Sequence, residues 1–208
     1  LMTLGQIRSK QVIEEALKQV AGTRRPEAAW ICRLHHFYPG DIGVLAPVFL
    51  NLVEIVPGSA VFLPPGMLHA YLYGLGIEIM ANSDNVLRGG LTQKHVDVAE
   101  LMQVLQFAPF SVHQMQPETV RVHEKQYPSP AREFTLSEIT IRAGERYHSS
   151  EVHSAEILLC LKGNAEIQTP ANRYRISIAQ GQSALVPAAA GPWQITGDAR
   201  IYKAGVRP

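Results

Sequence analysis

One spacing constrains the fold of this chain more than any other. Gly58-x5-Pro64-x-Gly66-x2-His69 returns in degraded form at Gly181-x5-Pro187, where Ala189 stands for the second glycine and Pro192 for the histidine. Recurrence at long range marks two copies of one structural unit. The sequence around each copy is β-like. FLNLVEIV from Phe49, AVFLP from Ala60 and HAYLYGLGIEIM from His69 are separated by Pro57-Gly58 and Pro65-Gly66 turns. A second series runs EFTLSEITI, AEILLCLKGNAEIQT, YRISIA, QSALVPA, PWQITG and ARIYKAG. Short strands with turns at near-even spacing predict a sandwich or a jelly roll. The chain is therefore expected to be mainly β.

Helical periodicity is confined to the start and to one later stretch. SKQVIEEALKQVA over 9–21 places Val12, Ile13, Ala16, Leu17 and Val20 on one face, with Ser9 suited to cap it and Gly22 to end it. Pro26 to Phe37 reads as a second helix with proline in its first turn. Asp97 opens a third over 97–107, with Glu100 completing a capping box. Residues 109–132 are polar and proline-dotted and read as a connection, and Arg121, His123, Glu124 and Lys125 within it read as a solvated face.

Composition excludes some functions. A net charge of +1 supplies no basic field for nucleic acid or an acidic bilayer surface. No apolar run reaches membrane-spanning length. Cys32 and Cys160 lie far apart and form no CxxC, so they read as buried thiols of a reducing compartment, and the cytoplasm is the expected location.

The chemistry gathers between His69 and Lys94. From spacing alone, His69 reads equally as an inward-facing ligand for a zinc-class metal or as a half-buried ring bonded to backbone. Glu78, Asp84, Arg88 and Lys94 bring two carboxylates and two cations into one loop-rich span. A guanidinium fork suits phosphate or an enediolate, and a lysine suits phosphate as a point charge. The same four residues would also make ordinary surface ion pairs. His148, His153 and Glu156 are a rival metal set, for which Pro192 in place of the last histidine favours a structural role. Tyr71, Tyr73 and Trp193 read as packing.

Two resemblances sharpen this. The Gly58-to-His69 spacing resembles the second motif of the cupin superfamily, and Glu156-x6-Gly163 resembles the end of the first. HAYLYGLGIEIMANSDNVLRGGLTQK resembles the signature of type I mannose-6-phosphate isomerases, departing at its fixed positions only in Gly89 for alanine and Gln93 for proline. YPGDIGVLAPVFLN upstream is also similar to that family.

The resemblance implies two cupin barrels and a zinc enzyme that interconverts mannose 6-phosphate and fructose 6-phosphate through a metal-assisted cis-enediol. His69 would be a metal ligand. Arg88 would stabilise the enediolate or a substrate oxygen, and Asp84 would be an acid/base or positioning group. Glu78 and Lys94 would line the sugar-phosphate pocket. The family's Gln-x-His-Pro and Lys-Pro-Glu ligand segments do not occur in the sequence, so the first barrel is expected to be incomplete and zinc to draw its other ligands from residues outside this chain.

The resulting division is a helical segment over 1–40, the second half of a catalytic barrel over 41–108, a linker over 109–132 and a metal-free cupin-like barrel over 133–208. The open barrel edge is expected to pair with an N-terminal portion or with another copy. The alternative is a non-catalytic cupin module that binds a sugar phosphate or a partner chain.

Overall fold

The computed structural model describes residues 1–83, 86–170 and 173–207. The chain divides into two compact units: Leu1–Glu54 with Leu63–Leu75 and Asp84–Val112, and Ile55–Phe62 with Gly76–Ser83 and His113–Pro208.

The first unit is helical. Helices α1 (Gln6–Val20) and α2 (Pro26–Phe37) are followed by a 3-10 turn (Ile42–Leu45), a short α3 (Ala46–Phe49) and α4 (Val98–Val104). Pro26 starts α2 as expected, whereas α1 begins earlier than Ser9, which is buried within it. Ile13, Ile31, Leu34, Val44 and Leu45 form one small core, joined at its margin by Leu72 and Leu91. Asp97 caps α4, its Oδ1 accepting the Glu100 amide at 3.0 Å. The helix stops at Val104, short of the expected Phe107, because the Gln106 amide turns away to donate to the Gly66 carbonyl at 3.1 Å.

The second unit is an antiparallel β structure. Strands β1 (Ala60–Val61) and β2 (Gln114–Met115) form a small pair. An eight-stranded sheet holds β3 (Glu118–Arg121), β4 (Glu124–Gln126), β5 (Thr135–Ile141), β6 (Arg146–His148), β7 (Glu156–Gln168), β8 (Arg175–Ala179), β9 (Ser183–Val186) and β10 (Gln194–Gly205). Its path is β3-β4-β5-β10-β7-β8, with β6 joined to β10 and β9 to β7.

Period-two burial builds the core. Ser137, Ile139 and Ile141 face inward on β5, and Glu156, Leu158 and Cys160 do so on β7. Trp193 is buried there as the sequence predicts. PWQITG and ARIYKAG, expected as two strands, run as the single β10. Gly163 on β7 explains the continuity: its φ is +76°, and a Cβ there would lie 2.0 Å from the Asp198 carbonyl oxygen, so glycine permits the close approach at the bulge.

Fold class is thus mainly β with a few helices, as the sequence predicts. Several local expectations differ. Residues 49–56 and 69–80 form no strand among the described residues; a strand needs a ladder partner, and in this part of the chain only 60–61 has one, at 114–115. Tyr71 and Tyr73 are exposed rather than packed, and Cys32 is exposed rather than buried. Among the described residues no helix is long and apolar enough to cross a membrane.

Candidate active site

In the helical unit, three local devices fix the segments that carry the predicted residues. The Pro64-Pro65-Gly66 turn comes first. Gly66 sits at φ +79° against the end of α4, where a Cβ would come within 2.6 Å of the Val104 carbonyl oxygen. Gln106 closes the turn with two bonds, its amide to the Gly66 carbonyl and its Nε2 to the Pro65 carbonyl at 3.0 Å. The chain therefore leaves the turn toward His69 in a set direction.

The second device joins the two arms. Gly89 lies flat against Leu68, with a Cβ position only 2.4 Å from Leu68 Cδ1. Arg88 and His69 are the outer neighbours of that contact. The third is Asp41. Its Oδ1 accepts the Gly43 amide and its Oδ2 the Leu91 amide, both at 2.7 Å. Leu91, which has a left-handed φ of 54°, is held there and reaches the helical core, as does Leu72. His69 and Arg88 thus each stand three residues ahead of a leucine packed against the same core.

His69 is exposed, its Nδ1 2.9 Å from the Met67 carbonyl and its ring edge-on to Tyr71. A carbonyl only accepts, so Nδ1 is the donor in this contact and Nε2 is the ring nitrogen turned away from it. That is the orientation of a ligating imidazole. Arg88 is half-buried, and Lys94 is exposed in a turn where its amide bonds Thr92 Oγ1 at 3.1 Å. Glu78 is exposed and belongs to the other unit. Asp84 lies outside the described residues.

Among the described residues no three His, Cys, Asp or Glu side chains converge to hold a metal ion. One oriented imidazole does not make a zinc site, so the residues present do not fit the metal by themselves.

The rival set in the sheet unit does not converge either. His148 is exposed on β6. His153 is half-buried, its Nδ1 2.7 Å from the Ser154 carbonyl and 3.5 Å from Glu156 Oε2, and its Nε2 2.7 Å from the Gly191 carbonyl. Glu156 instead meets Lys203, whose Nζ lies 3.2 Å from Glu156 Oε1 and 2.8 Å from Glu124 Oε1. The Tyr147 hydroxyl donates to Glu124 Oε2 at 2.8 Å, and the Trp193 indole to Glu156 Oε2 at 3.0 Å. Burial alone would raise the Glu124 pKa. The charge of Lys203, with hydrogen bonds from Lys203, Tyr147 and Ser137, outweighs it and holds the carboxyl below the usual carboxylate range.

Asp41, Gln106, Glu124 and Lys203 were not singled out by the sequence as functional. Glu124 is buried, not part of a solvated face, because its pairing with Ile139 on β5 places it on the inward side. A signal for Lys203 existed, since it follows Ile201 by two residues on the inward row of β10.

A family model described as "Mannose-6-phosphate isomerase, cupin domain" matches residues 123–204. The mannose-6-phosphate isomerase of Escherichia coli is 35% identical over 189 residues, covering 90% of this chain and 47% of the relative. The human one is 37% identical over 156 residues, covering 73% and 37%. The crystal structure of the apo form of mannose 6-phosphate isomerase from Salmonella typhimurium matches with a TM-score of 0.79 and 29% identity, over 100% of this chain and 52% of that one. The chain spans about half the length of the curated relatives it matches. On its cupin domain, its sequence and its fold, it belongs to the mannose-6-phosphate isomerase family.

Proposed function

We propose that this chain forms part of a cytoplasmic aldose–ketose isomerase that interconverts mannose 6-phosphate and fructose 6-phosphate. The observation that carries the proposal is the 35% identity over 189 residues with the Escherichia coli mannose-6-phosphate isomerase, a span too long to leave out residues 69–94. In this reading residues 41–108 are the second half of a catalytic barrel and 133–208 a supporting one, with 1–40 helical; the expected linker 109–132 is not a free connection, since β3 and β4 within it belong to the eight-stranded sheet.

Aldose–ketose interconversion moves a proton between neighbouring carbons, and negative charge builds on the oxygens of a cis-enediol. The Arg88 guanidinium is assigned to that charge: its planar fork serves two oxygens at once, and a fixed cation is most effective where charge develops. Lys94 is assigned to the phosphate, for which a mobile point charge suffices. Glu78 lines the substrate pocket, and Asp84 carries or positions the proton. The family resemblance implies zinc. His69 would offer one imidazole to it, the other ligands coming from polypeptide outside this chain.

The test measures mannose 6-phosphate turnover by the 208-residue chain alone and together with the N-terminal half of a relative such as the Escherichia coli enzyme. Turnover is expected only when the two halves co-purify, and it should fall by about two orders of magnitude in Arg88→Ala. Co-purified halves without turnover would overturn the proposal.

A further inference from the structure

The sheet unit contains a cavity of about 580 Å³ lined by β3, β4, β5, β7 and β10. That volume lies in the usual range for small-molecule pockets. Its wall includes Glu124 and Glu156, which are 4% and 6% exposed, bridged by Lys203. Charges held in a barrel wall are costly: replacing a buried ion network with apolar side chains is often neutral or stabilising. Where such a network faces a cavity, it points to a ligand.

The wall also specifies the ligand. Three carboxylates (Glu118, Glu124 and Glu156) stand with three cations (Arg121, Lys203 and Arg207) around the cavity. An anion or a divalent cation would meet as much like charge as opposite charge. A neutral molecule with hydroxyls on adjacent carbons gains from both, since each hydroxyl can donate to a carboxylate and accept from an ammonium or guanidinium. Hydroxyls of Ser137 and Ser150 extend the same surface.

We propose that this cavity is a binding site for a small neutral polyol or sugar, distinct from the residues around His69 and Arg88 and independent of the isomerase assignment. The Trp193 indole, bonded to Glu156, is a built-in reporter. The experiment titrates the 208-residue chain, carrying Trp30→Phe so that Trp193 is the sole indole, with methyl mannoside, inositol, inorganic phosphate and magnesium chloride. Saturation-transfer NMR on the same samples reads binding without relying on fluorescence.

Saturable binding of at least one polyol is expected, without saturable binding of phosphate or magnesium. Affinity should fall about tenfold in Arg121→Gln, a substitution at an exposed side chain whose Nε lies 3.6 Å from Glu124 Oε2 and that leaves the Lys203 bridge between Glu124 and Glu156 in place. Binding of phosphate or magnesium alone, no saturable polyol binding, or polyol binding unchanged in Arg121→Gln each overturns the proposal.

Discussion

Asp41 holds Leu91 across fifty residues of chain, its Oδ2 accepting the Leu91 amide at 2.7 Å. The other oxygen of the same carboxylate takes the Gly43 amide at 2.7 Å. One side chain therefore ties the Arg88 arm to the turn that covers the helical core. Charge-assisted bonds of this kind are the stronger sort, and neither amide has an obvious substitute acceptor.

Asp41→Ala should lower the stability of the chain by about 2 kcal/mol, the scale of losing hydrogen bonds to a part-buried charged acceptor. Hydrogen exchange at the Leu91 amide should accelerate more than at amides in β5 or β10, because the loss is local. Uniform acceleration across both units would mean that Asp41 supports the fold in general and not this loop in particular.

Gly66→Ala should cost about 3 kcal/mol. Left-handed backbone costs a non-glycine residue roughly 1–2 kcal/mol. Here the new methyl also meets the Val104 carbonyl oxygen at 2.6 Å, and backbone cannot rotate aside as a side chain can. Urea unfolding reads the loss. A change below about 0.5 kcal/mol, the scale of a neutral surface substitution, would show that the turn is not seated on α4 as described.

Much of this architecture was legible in the sequence because it rests on local periodicity. The inward rows of β5 and β7 follow from alternation, and the caps Asp97 and Pro26 act on residues within one turn of themselves. His69, Arg88 and Lys94 stand out in the sequence by residue type and spacing. What holds them does not: the Asp41–Leu91 bond and the seat of Gly66 on α4 join residues far apart in the chain, and no local pattern encodes them. Glu124 misled for a related reason. Its polar, proline-dotted surroundings look solvated, and only the register of β4 on β5 turns the carboxylate inward.

Tyr73 supplies a control. It is 85% exposed, and its recorded ring contact is with Arg33, whose guanidinium carbon lies 5.5 Å from the ring centroid. An exposed cation–π pair is worth about 0.5–1 kcal/mol at most. Tyr73→Ser should therefore shift stability by no more than about 1 kcal/mol in thermal unfolding. A loss of several kcal/mol would indicate that residues 69–80 are packed in solution.

Lys203→Met separates electrostatics from packing in the sheet unit, because the methionine keeps most of the stem and removes the ammonium between Glu124 and Glu156. Uncompensated charge in a buried site should cost about 3–5 kcal/mol near neutral pH. The pH dependence gives the sharper test. In the unaltered chain Glu124 titrates below its ordinary value of 4.5, so its stabilising contribution is complete above that pH and is lost as the pH falls through the lower, folded value. Without Lys203 the largest remaining influence is burial, which raises the carboxyl. The folded state then binds a proton more readily than the unfolded chain does, and acidification relieves the defect. The stability gap between the two proteins should accordingly be widest near pH 7 and narrow toward about pH 5, in urea unfolding at fixed ionic strength. A gap that stays constant over this interval would mean that Lys203 acts through its aliphatic stem and that its charge is not what Glu124 and Glu156 require.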